Sequence, residues 1–196
     1  MNLNVFLLKS GRKIGSVFSS FLSRKEWQIL NSYPNVKVPK TLVYNKSFRF
    51  SHGKLESVKI DIADNVTCRN NCFFHIANHA ELIIENNVFF NNNCSVNCLD
   101  KVFIGENTMF GEGVRIYDHN HSYADENGEL KIELNKFSKD PVIIGKNSWI
   151  GSNTIILKGV TVGNNVIIGA NVVVHKSVPD NTILVNKQNL ETINRS

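Results

Sequence analysis

The stretch IIGKNSWIGSNTIILKGVTVGNNVIIGANVVV, residues 143–174, places a branched aliphatic residue at every sixth position. The positions that keep this interval are Ile144, Ile150, Ile156, Val162, Ile168 and Val174. Neither the turn of an α-helix nor the alternation of a strand has this period. A hexapeptide period is typical of a parallel β-helix, in which three hexads form one coil of a triangular prism and stacked coils bury their inward side chains. The stretch therefore predicts an all-β solenoid.

The same period extends through most of the 196-residue chain. It predicts coils at residues 62–79, 84–101, 104–121, 144–161 and 162–179, and a further coil from Val36 with Leu42 and Phe48 in phase. In the coil at 104–121, Asn120 is expected to point inward and His121 outward. The polar segment 122–143 then interrupts the period as a long protruding loop, and loops of this length in a compact repeat are usually functional.

The first 35 residues do not follow the repeat and are predicted to be a helical or capping segment, before a β-helix at 36–181 and a tail at 182–196. Apolar residues at helical spacing predict an amphipathic helix, at Ile14, Val17, Phe18, Phe21 and Leu22. One interpretation is a helix that covers the open end of the solenoid. The alternative is an anchor on the anionic inner face of a membrane. Basic residues interrupt the apolar run of a signal peptide, so a cytoplasmic protein is expected, peripheral to the membrane in the second case.

Composition narrows the class of function. The apolar content of 42% and charged content of 20% are those of a globular protein. The net charge of +5 favours anionic partners. Nucleic acid is not expected as a partner, because no nucleic-acid-binding motif is present. The cysteines form two pairs, Cys68 with Cys72 and Cys94 with Cys98. Their register predicts reduced core residues, with Cys72 and Cys94 stacked in successive coils. This is favoured over zinc ligands or disulfides, so no metal site is expected.

Asparagines and glycines recur where the repeat predicts the corners of the prism. Turning a corner requires unusual dihedral angles, and Asn and Gly tolerate left-handed φ values better than other residues. The predicted corner glycines are Gly105, Gly111, Gly113, Gly145, Gly151, Gly159, Gly163 and Gly169.

The aliphatic-glycine hexads, together with DHNHSY at 118–123 and PVIIGKNSWIGSN at 141–153, resemble the hexapeptide-repeat acyltransferase superfamily. Within it the chain is similar to the maltose and galactoside acetyltransferase-like group and to capsule or lipopolysaccharide O-acetyltransferases. The resemblance covers about residues 62–181. It implies a left-handed parallel β-helix, a homotrimer with active sites between subunits, and acetyl-CoA as the cosubstrate.

The resemblance also implies site residues. His121 matches the family's general-base histidine, and an imidazole can accept the proton of an attacking sugar hydroxyl. His119 is expected to play a turn or orienting role, and Asp118 to orient an imidazole, bind a sugar hydroxyl or simply cap the turn. Trp149 is expected to point outward, either into the trimer interface or, as the resemblance implies, as a wall of the acyl-CoA or acceptor channel that faces the histidine of the other subunit.

Candidate contacts to acetyl-CoA follow from position: small residues would give access to the backbone, and lysines would meet the phosphates. They are Trp149, Gly151, Ser152, Lys158, Gly169, Ala170 and Lys176. The tail from Ile183 departs from the family's usual closing segment, which leaves the contacts to the adenine end open.

The sequence thus predicts an O-acetyltransferase that modifies a sugar hydroxyl of a bacterial surface polysaccharide, with capsular sialic acid or lipopolysaccharide as examples of the acceptor. An alternative is N- or O-acetylation of a sugar nucleotide or small sugar. A metalloenzyme resembling γ-carbonic anhydrase is more remote, because His79 and His121 lie two coils apart. A non-catalytic scaffold or an ice-binding β-helix would require a regular outward ladder such as repeated Thr-x-Thr, which the sequence lacks.

Overall fold

The computed structural model describes residues 24–44 and 47–187, which fold into a parallel β-helix of six coils. Its strands form three sheets, here called faces 1, 2 and 3 in the order in which the chain visits them. Face 1 contains β1 (Val36–Lys37), β4 (Lys59–Ile62), β7 (Glu81–Ile84), β10 (Lys101–Ile104), β15 (Val142–Ile144) and β18 (Thr161–Val162). Face 2 contains β2 (Val43–Tyr44), β5 (Thr67–Cys68), β8 (Phe89–Phe90), β11 (Met109–Phe110), β16 (Trp149–Ile150), β19 (Ile167–Ile168) and β21 (Ile183–Leu184). Face 3 contains β3 (Arg49–His52), β6 (Phe73–Ile76), β9 (Ser95–Cys98), β12 (Arg115–Tyr117), β17 (Ile155–Ile156) and β20 (Val173–Val174).

The hexapeptide register is confirmed, including the coil that begins at Val36. The residues that lead the hexads point inward and are buried in one continuous core. Its centre is a column of phenylalanines from successive coils: Phe48, Phe74, Phe90 and Phe110. Successive ring centroids lie 5.3, 5.0 and 4.7 Å apart. Each coil therefore depends on its neighbours for the burial of its own aromatic ring.

The predicted helix at residues 14–22 lies outside the described residues. The described helix α1 spans Arg24–Leu30. Leu30 joins the core, and the Trp27 indole N–H donates a 2.7 Å hydrogen bond to the Val38 carbonyl. This helix therefore packs on the first coil.

The cysteines are core residues, as predicted. All four are buried free thiols. The thiols of Cys72 and Cys94 each lie 3.1 Å from a backbone carbonyl of the following coil, at Asn91 and Gly111. Burial raises the pKa of the Cys68 thiol well above its ordinary value. These side chains fill space in the prism.

Asparagine makes the corners in two ways. Asn86, Asn92 and Asn164 use the side-chain oxygen to accept a backbone N–H of the preceding coil. At the corner between faces 1 and 2, asparagines with left-handed φ form a ladder in which each Nδ2 donates to the next Oδ1 at 3.0–3.4 Å. The ladder is Asn65, Asn87, Asn107, Asn147, Asn165 and Asn181.

The explanation of the glycines was wrong at most positions. Gly113 and Gly159 do have left-handed φ values, of 67° and 75°. The other predicted corner glycines do not; they are Gly105, Gly111, Gly145, Gly151, Gly163 and Gly169. Most of these are required by close stacking, as at Gly145, where a Cβ would lie 2.5 Å from the carbonyl oxygen of Gly163.

The departure from the prism occurs earlier than predicted. Asp118 is the last buried residue of its coil, and Asn120, expected inward, is exposed. The long loop is an antiparallel hairpin of β13 (His119–Glu126) and β14 (Glu129–Lys139), with one shift of register between His121 and Ser122. The coil ends at Asp118 because its side chain bonds to the preceding coil, while the next residue, His119, already pairs with Lys139.

Candidate active site at the base of the hairpin

The hairpin is fixed to the corner between faces 3 and 1 by bonds at both of its ends. The Asp140 N–H donates to the Asp118 carbonyl at 2.9 Å, and the Gly159 N–H donates to the Asp140 carbonyl at 3.1 Å. The Lys139 ammonium donates to the Leu99 carbonyl at 2.9 Å. Side chains at the base of the hairpin are therefore held against the prism.

Asp118 is fully buried, with 0% exposure. Its carboxylate accepts the Leu99 N–H with both oxygens at 2.9 Å and the Asp100 N–H at 2.7 Å. The remaining contact of Oδ1 is His119 Nδ1, at 2.9 Å. The contact with His119 agrees with a role in orienting an imidazole, and the two backbone N–H groups agree with a role in capping the turn. The buried carboxylate is not placed to bind a solvent-exposed sugar.

Two imidazoles share one face of β13 at this point. His119 is half-buried and lies edge-on to Phe137, with centroids 5.4 Å apart. His121 is exposed and packs more closely on Phe137, at 4.6 Å. Within residues 24–44 and 47–187, no hydrogen bond fixes the ring of His121. The structure therefore brings Asp118, His119 and His121 into one cluster, with His121 outward as predicted.

His75 lies on face 3 within electrostatic reach of this cluster. Burial and the neighbouring His119 lower its pKa, and the Asp118 carboxylate opposes that shift. Its Nδ1 lies 3.2 Å from Ser51 Oγ, which is itself buried. The surroundings of His75 on face 3 therefore favour the neutral form of its imidazole.

Trp149 points outward, as predicted, and lies on a face of the prism that does not carry the hairpin. It lies on face 2 with 49% exposure, in register with Met109 and Ile167. Face 2 is opposite the corner that carries the hairpin. A single chain therefore does not bring Trp149 to His121.

The other predicted acetyl-CoA contacts fall into two groups, at the two edges of face 3. Gly151, Ser152, Gly169 and Ala170 occupy the corner between faces 2 and 3. Gly151 is needed for coil stacking, since a Cβ there would lie 2.6 Å from the Ala170 nitrogen. Lys158 and Lys176 follow β17 and β20, at the corner that carries the hairpin. Among the described residues, neither lysine has an acidic partner, so both can meet an anionic group.

Sequence reasoning missed Phe137 and Lys139. They pair across the hairpin with His121 and His119. A signal was available in Asn127-Gly128, a dipeptide that favours tight hairpin turns. It would still have given the wrong partners, because the register shifts between His121 and Ser122.

A metal site does not emerge from the described part of the chain, where no three His, Cys, Asp or Glu side chains are grouped for one ion. The described helix is also too short and too polar to cross a bilayer.

Comparison with known proteins finds the same repeat elsewhere. Residues 141–176 match the family model of the hexapeptide repeat of succinyl-transferase. Nodulation protein L of Rhizobium leguminosarum bv. viciae is 39% identical over 74 residues, which cover 38% of this chain and 37% of that protein. Nodulation protein L of Rhizobium meliloti is 37% identical over 88 residues, covering 45% and 46%. The chain thus spans less than half the length of these relatives.

Solved structures share the fold over most of the chain. An N-acyltransferase of Bacillus cereus, AntD, solved with dTDP and 3-hydroxybutyryl-CoA, has a TM-score of 0.64 at 19% identity, covering 86% of each chain. A hexapeptide-repeat acetyltransferase of Vibrio cholerae, solved with acetyl coenzyme A, has a TM-score of 0.52 at 20% identity, covering 86% of this chain and 75% of that one. Repeat and fold together confirm the resemblance of this chain to the hexapeptide-repeat acyltransferases.

Proposed function

We propose that this protein is an acetyl-CoA-dependent O-acetyltransferase that acts on a sugar hydroxyl, with His121 as the general base. The observation that carries the proposal is an outward imidazole at the base of a hairpin fixed to the prism. The match to the hexapeptide repeat of succinyl-transferase and the fold shared with a solved acetyltransferase support the class of reaction. A surface polysaccharide, in capsule or lipopolysaccharide, is the proposed acceptor, because an exposed base suits a polymer lying across the hairpin.

In the proposed mechanism, acetyl-CoA supplies the acetyl group as a thioester. His121 accepts the proton of the acceptor hydroxyl as its oxygen attacks the thioester carbonyl, and returns that proton to the departing sulfur. A backbone N–H near a corner of the prism stabilises the oxyanion. Transfer is direct, because the buried cysteines are not accessible nucleophiles.

Lys158 and Lys176 are the proposed contacts for the phosphates of acetyl-CoA. The two lysines occupy equivalent positions in successive coils at the corner beside the hairpin, and among the described residues neither is neutralised by a carboxylate. The small residues at the opposite edge of face 3 would let the pantetheine arm approach the backbone.

A homotrimer is the proposed assembly, and two exposed apolar surfaces support it. Face 2 carries an outward row that includes Val43, Met109, Trp149, Ile167 and Ile183, with exposures between 38% and 68%. One side of the hairpin presents Tyr123, Leu130, Ile132 and Leu134, with exposures between 49% and 74%. Apolar patches of this kind are rare on monomers.

The row runs along face 2 and the hairpin leaves the opposite corner of the prism, so the two surfaces do not meet within one chain. They can meet between copies arranged head to tail around a closed ring. A ring of three would place Trp149 of one subunit beside His121 of the next. This arrangement would complete the site that a single chain leaves open.

The test of activity is thiol release from acetyl-CoA in the presence of a panel of bacterial glycans and sugar nucleotides. The variant His121→Ala should lose turnover by about 10²- to 10⁴-fold, the usual effect of removing a general base. His79→Asn is the matched control, since His79 is exposed, lies at the same corner of the prism two coils before the hairpin, and has a left-handed φ that Asn tolerates. Near-normal turnover of His121→Ala would refute the assignment of the base. Preference for sugar nucleotides would favour the alternative acceptor.

The test of assembly is sedimentation of the purified chain. A complex of three 22.1-kDa copies is expected. Trp149→Ala should dissociate it, whereas Arg115→Ala, exposed on face 3, should not. A wild-type monomer would contradict the proposed assembly.

A further inference from the structure

His119 has more contacts than His121, the other imidazole in the cluster. Its partner Asp118 is buried and is held by the backbone N–H groups of Leu99 and Asp100. Its ring is 15% exposed and lies between Tyr117 and Phe137 in edge-on contacts at 6.2 and 5.4 Å. The orientation of the ring is therefore set by groups outside the hairpin strand that carries it.

The contact with Asp118 also sets the tautomer of His119. Both carboxylate oxygens accept backbone N–H groups, so the carboxylate acts as an acceptor. A nitrogen 2.9 Å from Oδ1 must then carry the hydrogen, which places it on Nδ1. In the neutral ring, Nε2 is consequently an acceptor and nothing else.

His119 and His121 lie two residues apart on one side of β13 and contact the same ring, Phe137. Two residues of a strand span about 6.8 Å. One monosaccharide can therefore reach both imidazoles. An acceptor-only nitrogen beside the base recognises a hydrogen-bond donor and does not recognise an ether or a carbonyl oxygen.

We propose that His119, locked by Asp118, binds a second free hydroxyl of the acceptor sugar and so selects acceptors in which a hydroxyl near the acetylated one is unsubstituted. The inference rests on the proposed transferase function. It makes His119 an acceptor-binding residue and Asp118 a positioning residue, while His121 performs the proton transfer.

The kinetic test uses methyl glycosides of galactose, glucose and N-acetylglucosamine, and the single O-methyl derivatives of each. Wild-type kcat/KM should fall about 10- to 100-fold for the derivative that blocks the second hydroxyl, because a half-buried acceptor loses its partner. His119→Ala should raise the KM for the parent glycoside by a similar factor, change kcat far less, and accept both compounds equally. Loss of kcat at unchanged KM, or retained discrimination, would overturn the proposal.

A second measurement does not require turnover. Long-range ¹H–¹⁵N spectra of the imidazoles, recorded on the wild type above the titration of histidine, should show His119 protonated on Nδ1. Asp118→Asn should relax this preference. The galactoside, glucoside or glucosaminide that binds should move the Nε2 signal of His119.

The two measurements separate the inference from the function beneath it. If Nε2 responds to a glycoside but no acetyl group is transferred, the proposed function fails and the sugar-binding role of His119 stands. If glycosides are acetylated while Nε2 does not respond, or if the hydrogen lies on Nε2, the role of His119 is refuted. Absence of both transfer and response would refute both.

Discussion

Replacing Asn107 tests whether the corner asparagines stabilise the prism through backbone conformation or through the ladder. Asn107 has a φ of 57°, accepts the Asn87 side chain at 3.0 Å and donates to Asn147 at 3.1 Å. Asn107→Ala removes both hydrogen bonds and places in the left-handed region a residue that tolerates it less well than Asn or Gly. Asn107→Gly removes the same bonds and relieves the backbone.

The expected magnitudes follow from these two contributions. Two exposed hydrogen bonds at about 0.5 kcal/mol each give a loss of about 1 kcal/mol for Asn107→Gly. Holding Ala in the left-handed conformation costs about 1 kcal/mol more. The free energy of unfolding should therefore fall by about 2 kcal/mol in Asn107→Ala. Urea unfolding followed by circular dichroism would measure both, with Glu129→Ala on the exposed hairpin as a near-neutral control. Equal losses of unfolding free energy in Asn107→Ala and Asn107→Gly would refute the contribution of backbone conformation. An unchanged free energy of unfolding in Asn107→Gly would refute the contribution of the ladder's hydrogen bonds.

Other perturbations test the core and the charged surface. Phe90→Ala removes the ring that lies between Phe74 and Phe110 in the phenylalanine column. It should lower the free energy of unfolding, measured with urea, by about 3–5 kcal/mol. A loss below about 1 kcal/mol would show that the column contributes little to stability. Hydrogen bonds from Lys59 and Lys101 lower the pKa of Glu81 in the folded protein. The ionised Glu81 side chain therefore stabilises the folded state at pH values above its unfolded pKa of about 4.3. This contribution is lost as the pH falls through the lower pKa of the folded state. The stability difference between wild type and Glu81→Gln should therefore shrink on acidification, and a difference that stays constant would contradict this origin.

The sequence alone determined the solenoid, because each hexad repeats the same local requirement. An aliphatic residue must point inward and a residue that tolerates a corner must follow, so the register could be extended to Val36 without any knowledge of contacts. The asparagine corners were readable for the same reason. The role of most glycines was predicted wrongly because glycine can be required either by a left-handed φ or by a close contact between coils. A single hexad does not show the contacts between coils.

The cluster at the base of the hairpin was decided by tertiary structure. Histidine at 121 could be singled out from the sequence, but a tight turn at Asn127-Gly128 continued without a shift would pair it with Leu134. The irregularity after His121 pairs it with Phe137 instead, and the buried carboxylate of Asp118 holds His119. These contacts join segments that share no period, so their register depends on packing against the completed coils and not on any local pattern.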